Sequence, residues 1–261
     1  MKRISAVLVT YNEEEKIQRA LNSLQKVSDE IVVVDSYSTD ATPELCSRYT
    51  KRVLMRSWGG YRDQKQFATD QASHDWVLSL DADEALSPQL AEEILQWKEQ
   101  ENNCEGYYLP RKTFFMGCWI EHTTWYPDRQ IRLFRKSRGC WEGGRVHESF
   151  QVTGPTANFK GHIYHHTYAS FSEYLEQLEQ FSSLAARDRF EEGQRAQWVH
   201  FIFYPPAIFF KNYLLRLGFL DGKPGLAVSI LAAVSSLFKY LKLWEIQSGT
   251  AKEMPMNSRD E

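Results

Sequence analysis

The chain has 261 residues and a mass of 30.5 kDa. With 43% hydrophobic and 25% charged residues it is a globular protein of one large domain with room for an appendage, which excludes a disordered or fibrous chain. Its 31 Lys+Arg against 34 Asp+Glu give a net charge of −3 and a pI near 6.2, which argues against nucleic acid as a partner.

The first apolar run, Ile4-Ser5-Ala6-Val7-Leu8-Val9-Thr10, is rich in β-branched residues and reads as a strand. It ends at Tyr11-Asn12-Glu13, too short for a secretory signal, so the protein is expected to remain in the cytoplasm. Ile17, Ala20, Leu21 and Leu24 follow at helical spacing. Glu30-Ile31-Val32-Val33-Val34-Asp35 is a second strand, apolar throughout as a strand buried on both faces of a parallel sheet would be. Ser38-Thr39-Asp40-Ala41-Thr42-Pro43 offers cap residues for a helix through Cys46, and Val53-Leu54 a weaker third strand. A helix over about residues 63–72 leads into the fourth strand, Asp75-Trp76-Val77-Leu78-Ser79-Leu80-Asp81. This alternation predicts an α/β sheet with right-handed crossovers and a ligand site beyond the carboxyl ends of its strands.

Residues 106–168 read as an extension of the sheet with long loops, and residues 171–192 as an amphipathic helix. Between Gln197 and Trp244 five basic residues face a single acid among eleven aromatics, a charge of +4 that leaves about −7 on the remainder. Pro205-Pro206, Lys211, Arg216 and Lys239 interrupt any long apolar run, so a helix lying in a membrane interface is expected rather than a spanning one. The expected organisation is a catalytic domain over 1–168, a helical region over 169–246 and a flexible tail over 247–261. Cys46, Cys104, Cys118 and Cys140 show no CxxC spacing and are expected as reduced thiols.

Asp81-Ala82-Asp83-Glu84 sets two carboxylates just past a buried strand, where a turn lets both approach one hard cation bridging to a diphosphate. Lys65, after Gly59-Gly60-Tyr61-Arg62, can meet a phosphate as a point charge, as can Arg62; a solvated lysine is the bland alternative. Arg129 and Arg132 flank Ile131 and are expected on one strand face, binding a diphosphate or pairing with Glu142 or Asp128. No Ser–His or Cys–His nucleophile and no Gly-rich phosphate loop after the first strand is evident.

Three ordered motifs carry a resemblance: Val9-Thr10-Tyr11-Asn12-Glu13-Glu14, Val32-Val33-Val34-Asp35-Ser36-Tyr37-Ser38-Thr39-Asp40 and Asp75 through Glu84. Together they resemble the family 2 inverting glycosyltransferases of the GT-A fold. Pro127-Asp128-Arg129-Gln130-Ile131-Arg132-Leu133-Phe134, Val146-His147-Glu148-Ser149 and Gly218-Phe219-Leu220-Asp221-Gly222 are similar to the branch with bacterial lipopolysaccharide inner-core β-glucosyltransferases. The resemblance implies a GT-A sheet, mostly parallel with helices on both faces, followed by a C-terminal aromatic-rich helical region.

It also implies that Thr10, Tyr11 and Glu13 line a nucleoside pocket and that Asp35 accepts from the base, with helix capping as the alternative for Asp35. Asp81 and Asp83 would hold ribose and metal-diphosphate. Within the cluster of His162, His165 and His166, His165 matches the place of a further metal ligand beside Asp83, for Mg2+ or Mn2+. An inverting transfer needs a base for the acceptor hydroxyl. Glu148 is the candidate, with Glu142 and Asp128 competing. The expected activity moves a sugar, glucose from UDP-glucose, onto a lipid-anchored glycan such as the lipopolysaccharide inner core, at an anionic surface on the inner face of the cytoplasmic membrane. Transfer to polyprenyl phosphate or another envelope glycan, and a non-catalytic sugar-nucleotide-binding scaffold, are the alternatives.

Overall fold

The computed structural model describes residues 1–144, 148–168 and 170–249. The first half alternates as the periodicity predicts: β1 (Ile4–Thr10), α1 (Ile17–Leu24), β2 (Glu30–Asp35), α2 (Thr42–Ser47), β3 (Val53–Met55), α3 (Tyr61–Gln71) and β4 (Trp76–Asp81). β3, β2, β1 and β4 lie side by side in that order, all parallel. Strand alternation supplies both faces of this sheet. Ile4, Ala6, Leu8, Leu78 and Leu80 pack under α1, while Val7, Val32, Val34 and Val77 pack against Ala68 of α3.

The chain continues through β5 (Glu84–Leu86), α4 (Pro88–Glu99), β6 (Gly106–Phe115), β7 (Cys118–Trp119), β8 (Asp128–Arg135), β9 (Gly139–Gly143), β10 (Glu148–Val152), β11 (Thr156–Asn158) and β12 (Ile163–His165). The Ser87 hydroxyl caps α4 by accepting from the Leu90 N–H, and Pro88 opens the helix. β8 enters antiparallel beside β4, and the sheet extends through β6 and β12 to β5. β9 and β10 form a separate two-stranded sheet, attached where the Phe134 and Phe150 rings stack 3.6 Å apart.

A β-bulge separates Tyr107 from Tyr108 in register: Tyr107 faces Leu133 but Tyr108 faces Ile131, so Arg132 is the extra residue of β8. The bulge breaks the two-residue alternation and lets Ile131 and Phe134, three apart, join the same apolar cluster.

α5 (Phe171–Glu191), α6 (Trp198–Ile202), α7 (Tyr204–Phe210), a π-helical turn (Lys211–Leu215), a 3-10 turn (Gly218–Asp221) and α8 (Gly222–Gln247) form the helical region. It shares a core with the sheet domain, because Phe115 and Ile120 pack with Tyr174, Leu178, Val228 and Leu231. The Asp221 carboxylate clasps the two together, accepting from the backbone N–H groups of Glu121 and His122 and lying 2.7 Å from His122 Nδ1. Gly225 lies so close to the 3-10 turn that a Cβ there would meet the Gly218 carbonyl oxygen at 1.9 Å.

By length and composition Gly218–Gln247 is apolar enough to cross a membrane, despite Lys239 within it; about a third of its most apolar 18 residues is buried in the protein. All four cysteines are free. Of the tail expected over 247–261, positions 250–261 lie outside the described residues, as do Val146 and His147 of the fifth motif.

Glu30 secures the edge opposite the site. Burial pushes its carboxyl pKa up, but donors from Ser5, from the Ser73 N–H and hydroxyl, and from Arg52 outweigh burial and hold it at about 2. A depressed folded-state pKa stabilises the fold above the ordinary glutamate range, and that contribution is lost as pH falls from about 5 toward 2. Glu30→Gln is therefore expected to flatten the loss of thermal stability across that window, measured as Tm against pH. An unchanged slope would assign acid sensitivity to other groups.

Candidate active site

The carboxyl ends of β1, β2 and β4 collect the polar groups. Asp35 is wholly buried and accepts from the Thr10 hydroxyl at 2.7 Å and from the Ser38 N–H and hydroxyl at 2.7 and 2.6 Å. In this structure Asp35 and Thr10 brace the two strand ends, and Asp35 does not cap α2, whose N-cap residue is Ala41. Tyr11 and Glu13 follow on the loop and are half-buried. Asn12 and Tyr37, with φ of 53° and 60°, hold the two loops in the left-handed region, a conformation uncommon for residues with side chains. Sequence reasoning passed over both.

Beyond β4 an alternating chain of charges crosses the site. Lys65 of α3 lies 2.7 Å from Glu148 and 2.8 Å from Asp81. Arg132 donates to Asp81 at 2.7 Å and to Glu84 at 3.0 Å. Arg111 donates to Glu84 at 3.2 Å and, through Nε, to Asp128 at 2.9 Å. Lys65 and Arg132 are each only 5% exposed. Burial alone would raise the Asp81 pKa, yet Arg132 and Lys65 hold the carboxyl well below the usual carboxylate range. Asp128 is likewise lowered, with Arg111 overcoming the effect of burial.

The expectation for the two β8 arginines needs correction. Arg132, carried by the bulge, turns into the acidic cluster, whereas Arg129 is exposed and takes no part in it. Lys65 is not a solvated lysine but the bridge between Asp81 and Glu148. Glu142 is exposed on β9, away from this chain of charges. Arg111 was missed because nothing in sequence spacing places β6 near the end of β4, and Glu84 was seen among the acids after β4 but given no role. Among the described residues, Arg132 Nη1 is buried without a hydrogen-bond partner.

Asp83 sits apart, facing β12. His165 pairs with Glu84 across β5 and with Thr113 along β6, a register that places His165 Nε2 3.2 Å from the Asp83 carboxylate. Thr167 Oγ1 lies 2.8 Å from both ring nitrogens of His165, and Thr113 Oγ1 lies 3.4 Å from Nδ1, so two hydroxyls hold the imidazole in place. Burial works against ionised Asp83, and His165 beside it outweighs that, lowering the pKa. Among the described residues no group of three His, Cys, Asp or Glu gathers as a metal cage. One carboxylate and one imidazole nitrogen suit a cation that keeps several waters and takes its other oxygens from a substrate diphosphate, the habit of Mg2+, and Mn2+ accepts the same donors.

The model of the family described as Glycosyl transferase family 2 matches residues 5–149. The chain belongs to that family. A relative covering 98% of the chain and 96% of its own length at 30% identity is the lipopolysaccharide core biosynthesis glycosyltransferase LpsC of Rhizobium meliloti. An uncharacterized glycosyltransferase of Rickettsia typhi is 29% identical over 94% of this chain and 88% of its own. Among solved structures, Staphylococcus aureus TarS in complex with UDP-GlcNAc aligns over 97% of this chain and 93% of its own, at 15% identity and a TM-score of 0.48. The family 2 chain is thus a glycosyltransferase, and its α/β sheet with helices on both faces is the GT-A architecture the motifs implied.

Removing one member of a buried charge network leaves its partners uncompensated, at a cost of about 3–5 kcal/mol. Arg132→Met removes one cation from each of Asp81 and Glu84, leaving them with Lys65 and Arg111 alone, and is expected to cost that much in chemical denaturation. Lys65→Met is expected to cost less, since Arg132 still pairs Asp81 and the Glu148 that loses its cation is partly exposed, whereas Glu84 is fully buried. Equal costs would mean that Glu148 depends on Lys65 as strongly as Glu84 depends on Arg132.

Proposed function

We propose that the protein is a metal-dependent inverting glycosyltransferase moving glucose from UDP-glucose onto a lipid-anchored glycan such as the lipopolysaccharide inner core. The observation that carries the reading is the pairing of Asp83 with His165 beside a Glu148–Lys65–Asp81 bridge at the carboxyl ends of parallel strands. The acceptor class is supported by the lipopolysaccharide core role named for the Rhizobium meliloti relative.

Asp83 and His165 would hold the cation, which when bound neutralises charge developing on the departing diphosphate. Arg132 Nη1 is the buried donor left for a diphosphate oxygen, and Lys65 stands beside it as a second positive charge. Thr10, Tyr11, Glu13 and Asp35 border the nucleoside end. Glu148, kept beside Lys65 at the start of β10, takes the proton of the acceptor hydroxyl as that oxygen bonds to the anomeric carbon. The bond from that carbon to the diphosphate breaks, with inversion. Asp128 is the poorer base, because Arg111 and Gln130 occupy it.

Glu148→Gln is expected to lower kcat by ~10²–10⁴ with little change in donor affinity. Asp83→Asn is expected to abolish metal-dependent turnover of UDP-glucose while the protein still melts cooperatively. Glu148→Gln activity within about threefold of the parent would move the base to Asp128 or Glu142.

The helical region supports a place on the inner face of the cytoplasmic membrane. Trp198 and Leu215 are 81% and 80% exposed, and Phe203, Phe210, Leu214 and Leu220 are exposed with them. Lys211, Arg216 and Lys223 stand exposed among these residues and match an anionic lipid surface. Lys239 and Lys242 do not serve this role: Lys242 bonds Glu179 and Ser183 of α5, and Lys239 lies over the Tyr240 ring. Flotation with vesicles is expected to show binding that rises with anionic lipid and falls with salt. Changing Lys211, Arg216 and Lys223 together to Glu is expected to release the protein. Binding that is insensitive to lipid charge would leave the apolar surface to another role.

A further inference from the structure

A cavity of about 250 Å3 lies where the sheet domain meets the helical region, and no step above uses it. Asp128, Thr113 and His165 form its polar wall, Trp125 and Tyr168 its aromatic wall, and Phe181 of α5 with Ser235 of α8 its far side. We infer that this cavity binds one uncharged pyranose ring, the acceptor sugar that receives the transferred residue. The assignment of acceptor rests on the transferase reading; the chemistry of the ligand rests on the cavity.

Size, surface and charge carry it. Drug-sized ligands occupy pockets of ~300–1,000 Å3, so this cavity suits a single ring, with the remaining glycan outside. Aromatic faces opposite polar groups fit a sugar, whose C–H face is apolar and whose hydroxyls are hydrogen-bonding. Among the described residues the one cation on the wall, Arg111, is committed to Glu84 and Asp128. A phosphorylated or carboxylated sugar would meet Asp128, with Asp83 behind His165, and no free positive charge among the described wall residues. A hydroxyl instead finds acceptors on Asp128 and donors on Thr113 and Thr167. His165 joins the cavity to Asp83, which puts a bound ring next to the place where the donor diphosphate would be held.

The test uses the full chain and saturation-transfer NMR with methyl glucoside, methyl galactoside and methyl mannoside as uncharged probes, against glucuronic acid and mannose 6-phosphate. At least one uncharged glycoside is expected to bind with and without saturating UDP and Mg2+, and both anionic sugars about tenfold more weakly or worse. Trp125→Ala removes one stacking face and is expected to weaken binding about tenfold. Because Trp125 also packs on Phe115 and Tyr174, Ser235→Leu, which fills the cavity from α8, provides the second variant and is expected to abolish binding. No binding by any uncharged glycoside, equal binding of the anionic sugars, or binding kept in Ser235→Leu would overturn the inference. Displacement of the glycoside by UDP-glucose but not by UDP would make the cavity the donor-sugar site and overturn it as well. These measurements need no turnover, so a failure of metal-dependent donor turnover with glycoside still bound would count against the transferase reading alone.

Discussion

The site depends on alternation of charge. From Glu148 to Asp128, every carboxylate in the chain through Lys65, Asp81, Arg132, Glu84 and Arg111 is flanked by a cation, and every cation by two carboxylates. Charges removed from water are tolerable only with such company, since a lone buried ion costs several kcal/mol. The seven groups come from α3, β4, β5, β6, β8 and β10, so the network also fixes how the small β9–β10 sheet and the antiparallel strands sit against the parallel half. Orientation of the reacting groups and cohesion of the mixed sheet are therefore one arrangement, and a substrate entering it must trade partners with groups already paired.

Much of the fold could be read in advance because burial leaves a periodic trace. The valines of β2 and the apolar run of β4 are continuous as double-sided burial requires, and the acids at their ends mark the site. Asp83 with His165 was legible only through resemblance, since 82 positions apart in the chain nothing local couples them. The acidic partners of Arg132 were not legible. A bulge is a property of the pairing with β6, and sequence spacing alone could not say that Arg132 would turn inward while Arg129 remained outside. Lys65 was seen as a charge but not as a bridge, because its partners lie on two other elements.

The helical region shows the same division. Its excess of aromatics and positive charge was plain, but not which cations face outward. Lys242 is drawn to α5 by Glu179 and Ser183, Lys239 lies over the Tyr240 ring of its own helix, and the cations left outside lie earlier, around the π-helical and 3-10 turns. Composition reports how many charges a segment holds; helix packing decides which of them solvent or lipid meets.

The Asp221 clasp gives this arrangement a further meaning. It fastens the Glu121–His122 backbone, four residues or fewer from Trp125, to the turn that carries Phe219 and Leu220. With those apolar side chains seated in a lipid surface, the cavity would stand at one fixed height above it, and a lipid-borne sugar would be selected by the length of its stalk as well as by its stereochemistry. The enzyme would then act as a ruler, measuring how far a growing glycan has risen from its anchor.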